Sequence, residues 1–146
     1  MGGPDWIGWR HPPRLDRISL IWSGAFLLPF FFVDSPNGDI HLNGDIQPDV
    51  VYEDDDVLAF RDANPTAPTH VLVIPKVHIA TTNDLDESNA DITGKLYLAA
   101  KQVAQDENIA ERGYRMVMNC NPEAGQSVYH IHLHVLGGRG LTWPPG

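Results

Sequence analysis

Ser127-Val128-Tyr129-His130-Ile131-His132-Leu133-His134-Val135-Leu136 alternates polar and apolar residues, and three of its polar positions are histidines. Alternation is the period of a strand, not of a helix. On a strand, residues i, i+2 and i+4 share one face, about 6.6 Å apart along the chain at a rise of about 3.3 Å per residue. His130, His132 and His134 are therefore expected on one face, with Tyr129, Ile131, Leu133 and Val135 turned into a core. Three imidazoles in a row can bind a metal, bind a phosphate, or act in nucleophilic and acid–base chemistry. Spacing alone does not choose among these.

The flanking text reads as short strands joined by short turns. Val50–Glu53, Val57–Asp62, Thr69–Pro75 and Tyr114–Asn119 are strand candidates, and the histidine stretch is the fifth. Asp54-Asp55-Asp56 is a turn of like charge, and Asn64-Pro65-Thr66-Ala67-Pro68 is a loop punctuated by two prolines. Ser88 and Asp91 have the spacing of a capping box, and Ile92, Leu96, Ala99, Ala100 and Val103 then recur at helical spacing. Links this short forbid parallel crossovers, so the expectation is an α+β fold: an antiparallel sheet of about five strands with one main helix. No internal repeat is visible.

Length and charge narrow the function. A chain of 146 residues suggests one domain with a single core. A net charge of −9 argues against a nucleic-acid groove, which needs a basic surface, but leaves room for a small nucleotide. Cys120 is the single cysteine, which excludes an intrachain disulfide and a Cys-x-x-Cys metal site and is compatible with a reducing compartment.

Residues 1–42 read differently. Ile18 to Val33 is almost wholly apolar but shorter than the about 20 residues that span a bilayer. Arg10, Arg14 and Arg17 precede it, as in a leader, whereas Asp5 and Asp16 dilute the charge and no small-residue cleavage site follows. The reading is a divergent N-terminal extension, loosely packed or disordered, ahead of a domain at 43–146. A leader and membrane contact by residues 18–33 are the minority alternatives.

Candidate site residues cluster around the histidines. Gly125-Gln126-Ser127 precedes them, and successive loop N–H groups can hold phosphate oxygens. Asn119 offers both a donor and an acceptor, Asp62 could accept from ribose hydroxyls, and His70 opens another apolar strand. Together they describe a site for a phosphate on a sugar. A zinc site completed by His70 or His78 is the rival, although a surface or helix-entry role suits His78 better.

His130-x-His132-x-His134 with apolar spacers resembles the motif of the histidine-triad (HIT) superfamily. The run Gly125 to Arg139, the ending Trp143-Pro144-Pro145-Gly146, Ala67 to Lys76 and Gly113 to Val117 are similar to its Hint branch, the purine nucleoside phosphoramidases. The resemblance covers Asn43 to Gly146. It implies a HIT-like sheet that dimerises into a continuous sheet, a homodimer, a cytoplasmic or nuclear location, and no metal or other cofactor.

It also implies a reaction. His132 attacks the phosphorus of an adenosine 5′-phosphoramidate, and the adenylyl-histidine is hydrolysed to AMP. The catalytic set would be His132, Ser127, His130, His134 and His70, with Ser127 near the leaving amine and His130 and His70 orienting the nucleophile. Substrate contacts would come from Phe60, Asp62, Ala63, Leu72, Asn119, Gly125, Gln126, Ser127, His134 and Trp143, the last reaching toward the partner subunit's site. The chain departs from the branch upstream of Asn43, where Val33 to Leu42 does not match the apolar segment that helps form the base pocket. A nucleotide-binding scaffold with little turnover, or a dinucleoside polyphosphate hydrolase, are the alternatives.

Overall fold

Apolar alternation and links of a few residues give the strands almost no choice but to fold back on one another. This computed structural model describes residues 49–146 in full. Ahead of them it describes only the backbone of three short strands, β1 (Ser19–Leu20), β2 (Phe30–Phe32) and β3 (His41–Asn43), paired antiparallel in that order. The expected extension otherwise lies outside the described residues, as does any replacement for the base-pocket segment.

The main sheet holds β4 (Val50–Glu53), β5 (Val57–Arg61), β6 (Thr69–Pro75), β7 (Tyr114–Val117) and β8 (Leu133–Gly137), in the spatial order β4-β5-β6-β8-β7. Every pairing is antiparallel, and for β4–β5 and β5–β6 the short links require it. The β4–β5 turn is built by Asp54, whose carboxylate accepts from the backbone N–H groups of Asp56 and Val57 at 2.8 Å each and from the Tyr52 hydroxyl at 2.7 Å.

The sheet has two faces of opposite chemistry. Val57, Ala59, Val71, Val73, Leu133 and Val135 pack under the helix α1 (Asp91–Asp106), against Leu96, Ala99, Ala100 and Val103. These residues are sealed from solvent, and each large apolar side chain so buried stabilises the fold by about 1.5–3 kcal/mol. The registers Phe60↔Leu72, Leu72↔His134 and His134↔Val117 run across the other face, and His70 shares it by strand period.

The helix starts where the sequence suggests, but not for the expected reason. Ser88 and Asp91 form no capping box: Ala90 is the N-cap, and the Ser88 hydroxyl donates to Asp86 at 2.5 Å. The capping box of this region lies earlier, between Thr81 and Asp84, and closes a short 3-10 turn at Thr82–Asp84.

The histidine strand is shorter than its alternation predicts. β8 begins at Leu133, so His130 and His132 lie ahead of it in irregular backbone. The register that pairs Val73 with Leu133 would set Ile131 opposite Pro75, which has no N–H to continue the ladder. The Ile131 amide instead donates to the Ile79 carbonyl at 2.8 Å. Ile131, Leu133 and Val135 are buried as expected, whereas Tyr129 is 46% exposed, because the period fails before the strand starts.

Candidate active site

The three histidines are each held by a different partner, and the partners fix where each imidazole carries its proton. His70 anchors one end. The Thr66 backbone N–H donates to His70 Nδ1 at 3.1 Å, so that nitrogen bears a lone pair and the proton sits on Nε2. His70 Nε2–H then donates to His134 Nδ1 at 2.8 Å, with the Asp62 carboxylate 3.4 Å away. His134 therefore carries its own proton on Nε2. That atom is buried and has no hydrogen-bond partner among the described residues.

The other end closes on itself. The Pro75 carbonyl can only accept, so His130 Nε2–H donates to it at 2.9 Å. The His130 Nδ1 lone pair accepts from His78 Nδ1–H at 3.0 Å, and the two rings stack with centroids 5.2 Å apart and 14° between planes. His130 is 1% exposed. The expectation of a surface or helix-entry role for His78 is corrected here: its side chain is half-buried against the triad. Its signal in the sequence was faint, a histidine three residues past a proline-closed strand.

His132 lies between these pairs. Its Nδ1–H donates to the His130 backbone carbonyl at 2.8 Å, which leaves the lone pair of the neutral ring on Nε2. The His132 and His134 rings meet edge to face, 5.0 Å between centroids. The lone pairs of His130 and His134 are engaged by neighbouring imidazoles, which removes both as nucleophiles. Nε2 of His132 thus carries the ring's lone pair, the kind of atom that nucleophilic catalysis needs.

Burial keeps all of these rings neutral near pH 7. It pushes His130 down to about 3, aided by the His78 and His132 imidazoles. It pushes His134 down to about 4, aided by His132 and His70. His132 is lowered by burial against the opposing pull of the His130 carbonyl, and His70 is lowered by burial although Asp62 pulls it up. His78 is likewise lowered by burial against the field of Asp84.

The remaining predicted residues fall into distinct places. Phe60 and Leu72 are buried on the sheet face that carries His70 and His134. Asp62 Oδ1 accepts from the Asn64 N–H at 2.8 Å, while Oδ2 faces His70, and Ala63 beside it is exposed. Asn119, Gly125 and Ser127 lie on the loop between β7 and His130, where Gly125 takes φ +86° and Ser127 is exposed. Gln126 is 4% exposed, and its side chain serves the backbone. It accepts from the Asn121 N–H and donates to the Ala80 and Val128 carbonyls at 2.8, 2.8 and 3.0 Å. Trp143 is 81% exposed on a tail that Arg115 holds through the Thr142 carbonyl at 2.8 Å.

Asp62, His70 and His134 bring ligand-type atoms within 4.8 Å of one another, the one such group among the described residues. They do not fit a resident cation. His70 would have to ligate through Nε2 while Nδ1 still accepts the Thr66 N–H, and a neutral imidazole has only one lone pair. That argues against His70 as a zinc ligand.

The HIT domain family pattern matches residues 43–141. A purine nucleoside phosphoramidase of Escherichia coli (strain K12) is 50% identical over 97 residues, 66% of this chain and 82% of the relative. A 14 kDa zinc-binding protein of Zea mays is 52% identical over 116 residues, 77% of this chain and 90% of the relative. Among solved structures, a HIT family hydrolase from Legionella pneumophila superposes with TM-score 0.67 at 54% identity, covering 69% of this chain and 90% of that one.

Proposed function

This chain belongs to the HIT domain family, and from that membership and the histidine tautomers we propose that it hydrolyses purine nucleoside 5′-phosphoramidates to the nucleoside monophosphate and an amine. The observation that carries the reading is the split of roles among three like residues. Two imidazoles have their lone pairs engaged by His70 and His78, and His132 keeps its lone pair on Nε2.

In the first step the Nε2 lone pair attacks phosphorus and a P–N bond to His132 forms. The bond to the leaving nitrogen breaks, and its electron pair leaves with the amine, which takes a proton through Ser127. The imidazole is then cationic, and its Nδ1–H stays on the His130 carbonyl, 2.8 Å away. In the second step water attacks phosphorus, and the P–N pair returns to His132. One water proton restores Ser127 and the hydroxyl stays on the product phosphate. His134 Nε2–H, lacking a partner among the described residues, suits a non-bridging oxygen where transition-state charge collects. Asp62 suits the ribose hydroxyls, and Phe60 and Leu72 the apolar side of the nucleoside. Trp143 suits the active site of a second copy, reached across a sheet continued between subunits. Sedimentation at micromolar concentration tests that dimer, and a monomer there removes it.

Rapid acid quench of enzyme mixed with adenosine 5′-phosphoramidate, followed by intact mass, tests the mechanism. The expected result is a transient adenylyl adduct on His132, lost together with turnover in His132→Ala by at least about 10⁴-fold in kcat. Wild-type rates in that variant would overturn the mechanism. AMP binding without turnover in the wild type would turn the reading to a scaffold. Faster cleavage of diadenosine polyphosphates would turn it to that substrate class.

A further inference from the structure

Three consecutive residues after β6 each grip the segment that carries the nucleophile. His78 Nδ1–H donates to His130 at 3.0 Å, the Ile79 carbonyl accepts from the Ile131 N–H at 2.8 Å, and the Ala80 carbonyl accepts from the Gln126 amide at 2.8 Å. The segment has left the β ladder at this point, so these contacts stand in for the missing rungs. Of the three, only the His78 contact reaches the ring of a triad member.

We propose that His78 is a positioning residue for the nucleophile, acting through His130. Its N–H fills the lone pair left on His130 Nδ1, while His130 Nε2–H donates to the Pro75 carbonyl, 2.9 Å away. With both ring nitrogens committed, the His130 residue is fixed at two points, and its backbone carbonyl is held where it accepts from His132 Nδ1–H at 2.8 Å. That bond aims Nε2 of His132 and keeps the lone pair on it. The consequence is a relay of three links, from His78 to the His130 ring, to the His130 carbonyl, to the His132 ring. Burial supports it, because at 1% exposure no solvent is available to replace the His78 donor. The role rests on the phosphoramidase reading, whereas the hydrogen bond from His78 to His130 does not.

The test compares His78→Ala with His78→Asn, whose side-chain amide can place an N–H near the original Nδ1. Long-range ¹⁵N NMR of the ligand-free protein reads the His130 and His132 tautomers, and single-turnover kinetics give the rate per active site. In His78→Ala the His130 Nδ1 shift moves away from its hydrogen-bonded value and kcat falls about 10- to 100-fold, as for a slightly misplaced reacting group. KM stays within about twofold, because His78 need not touch substrate. His78→Asn restores the wild-type Nδ1 shift and most of the rate. A wild-type Nδ1 shift and rate in His78→Ala overturn the proposal. So do equal losses in the two variants, which mean a packing role. Should the alanine variant not fold, His78→Gln sets the donor one bond farther out. Partial loss of rate is expected there, and a full wild-type rate overturns the proposal. A wild type with no turnover fails the phosphoramidase reading, and the ¹⁵N shifts then decide the positioning role alone.

Discussion

The two ends of the triad are built alike and finished differently. At each end a histidine from β6 or the link after it pairs with a triad histidine, His70 with His134 and His78 with His130. At the His130 end the remaining N–H goes to the Pro75 carbonyl, so both His130 ring nitrogens are engaged. At the His134 end the remaining N–H is buried with no partner among the described residues. A buried donor without an acceptor costs about 1–3 kcal/mol, and folding alone gives no reason to keep it. The lesson is a contrast in wiring: the closed end engages both nitrogens of its ring, and the open end leaves a donor that the proposed mechanism gives to an anion.

The sharpest way to break that contrast is His134→Leu. Loss of one donor to the transition-state oxyanion is expected to lower kcat about 10²- to 10³-fold. Steady-state kinetics with adenosine phosphoramidate check it, and an unchanged kcat would make the open N–H a mere packing defect.

Acid is the next lever. His130 and His134 titrate in the folded protein at about 3 and about 4, below their ordinary value of 6.5. Between 6.5 and those values the unfolded chain binds protons that the folded chain refuses. Their contribution is thus fully present above pH 6.5 and is lost as pH falls toward 4 for His134 and 3 for His130. The expected loss is about 1.4 kcal/mol per pH unit for each histidine across its window. Urea melts at steps from pH 7 to pH 4 measure the slope, and a flat profile would contradict burial of neutral rings.

His130→Leu inverts the first variant. It strands the Pro75 carbonyl and the His78 N–H and is expected to cost about 1–3 kcal/mol of folding free energy. The same change at His134 costs less, because Asp62 still faces the His70 N–H, 3.4 Å away. Parallel urea melts compare the two, and a larger loss at His134 would reverse the assignment of roles. The smallest expected effect is none. A chelator such as EDTA leaves turnover unchanged, since the His70 tautomer disfavours a cation between Asp62 and His134; loss of activity restored by zinc would overturn that.

Much of the frame was readable from the residues themselves. β4 and β6 have the expected limits, and β5 ends one residue early, because alternation, prolines and the aspartate turn are local signals. The helix was found by the spacing of Ile92, Leu96, Ala99, Ala100 and Val103 while its cap was misplaced, since Asp86 captures Ser88 first. β7 stops at Val117 and not at Asn119. The histidine strand was overextended because its end depends on Pro75, a residue 58 positions before Leu133 that the alternation itself cannot sense. The same distance hid His78.

What the sequence alone determined is the alternating stretch, the sheet it joins, the family it resembles and the set of histidines proposed for the chemistry. Those properties follow from side-chain period and residue type, which are local. What only the tertiary structure decided is which histidine does what. His130, His132 and His134 are equivalent by spacing, and they become distinct when His78, His70 and the backbone carbonyls of Pro75 and His130 each claim one nitrogen. A proton can sit on only one nitrogen of a neutral imidazole, so residues far apart in the chain choose the tautomer, and the tautomer decides which nitrogen keeps the lone pair.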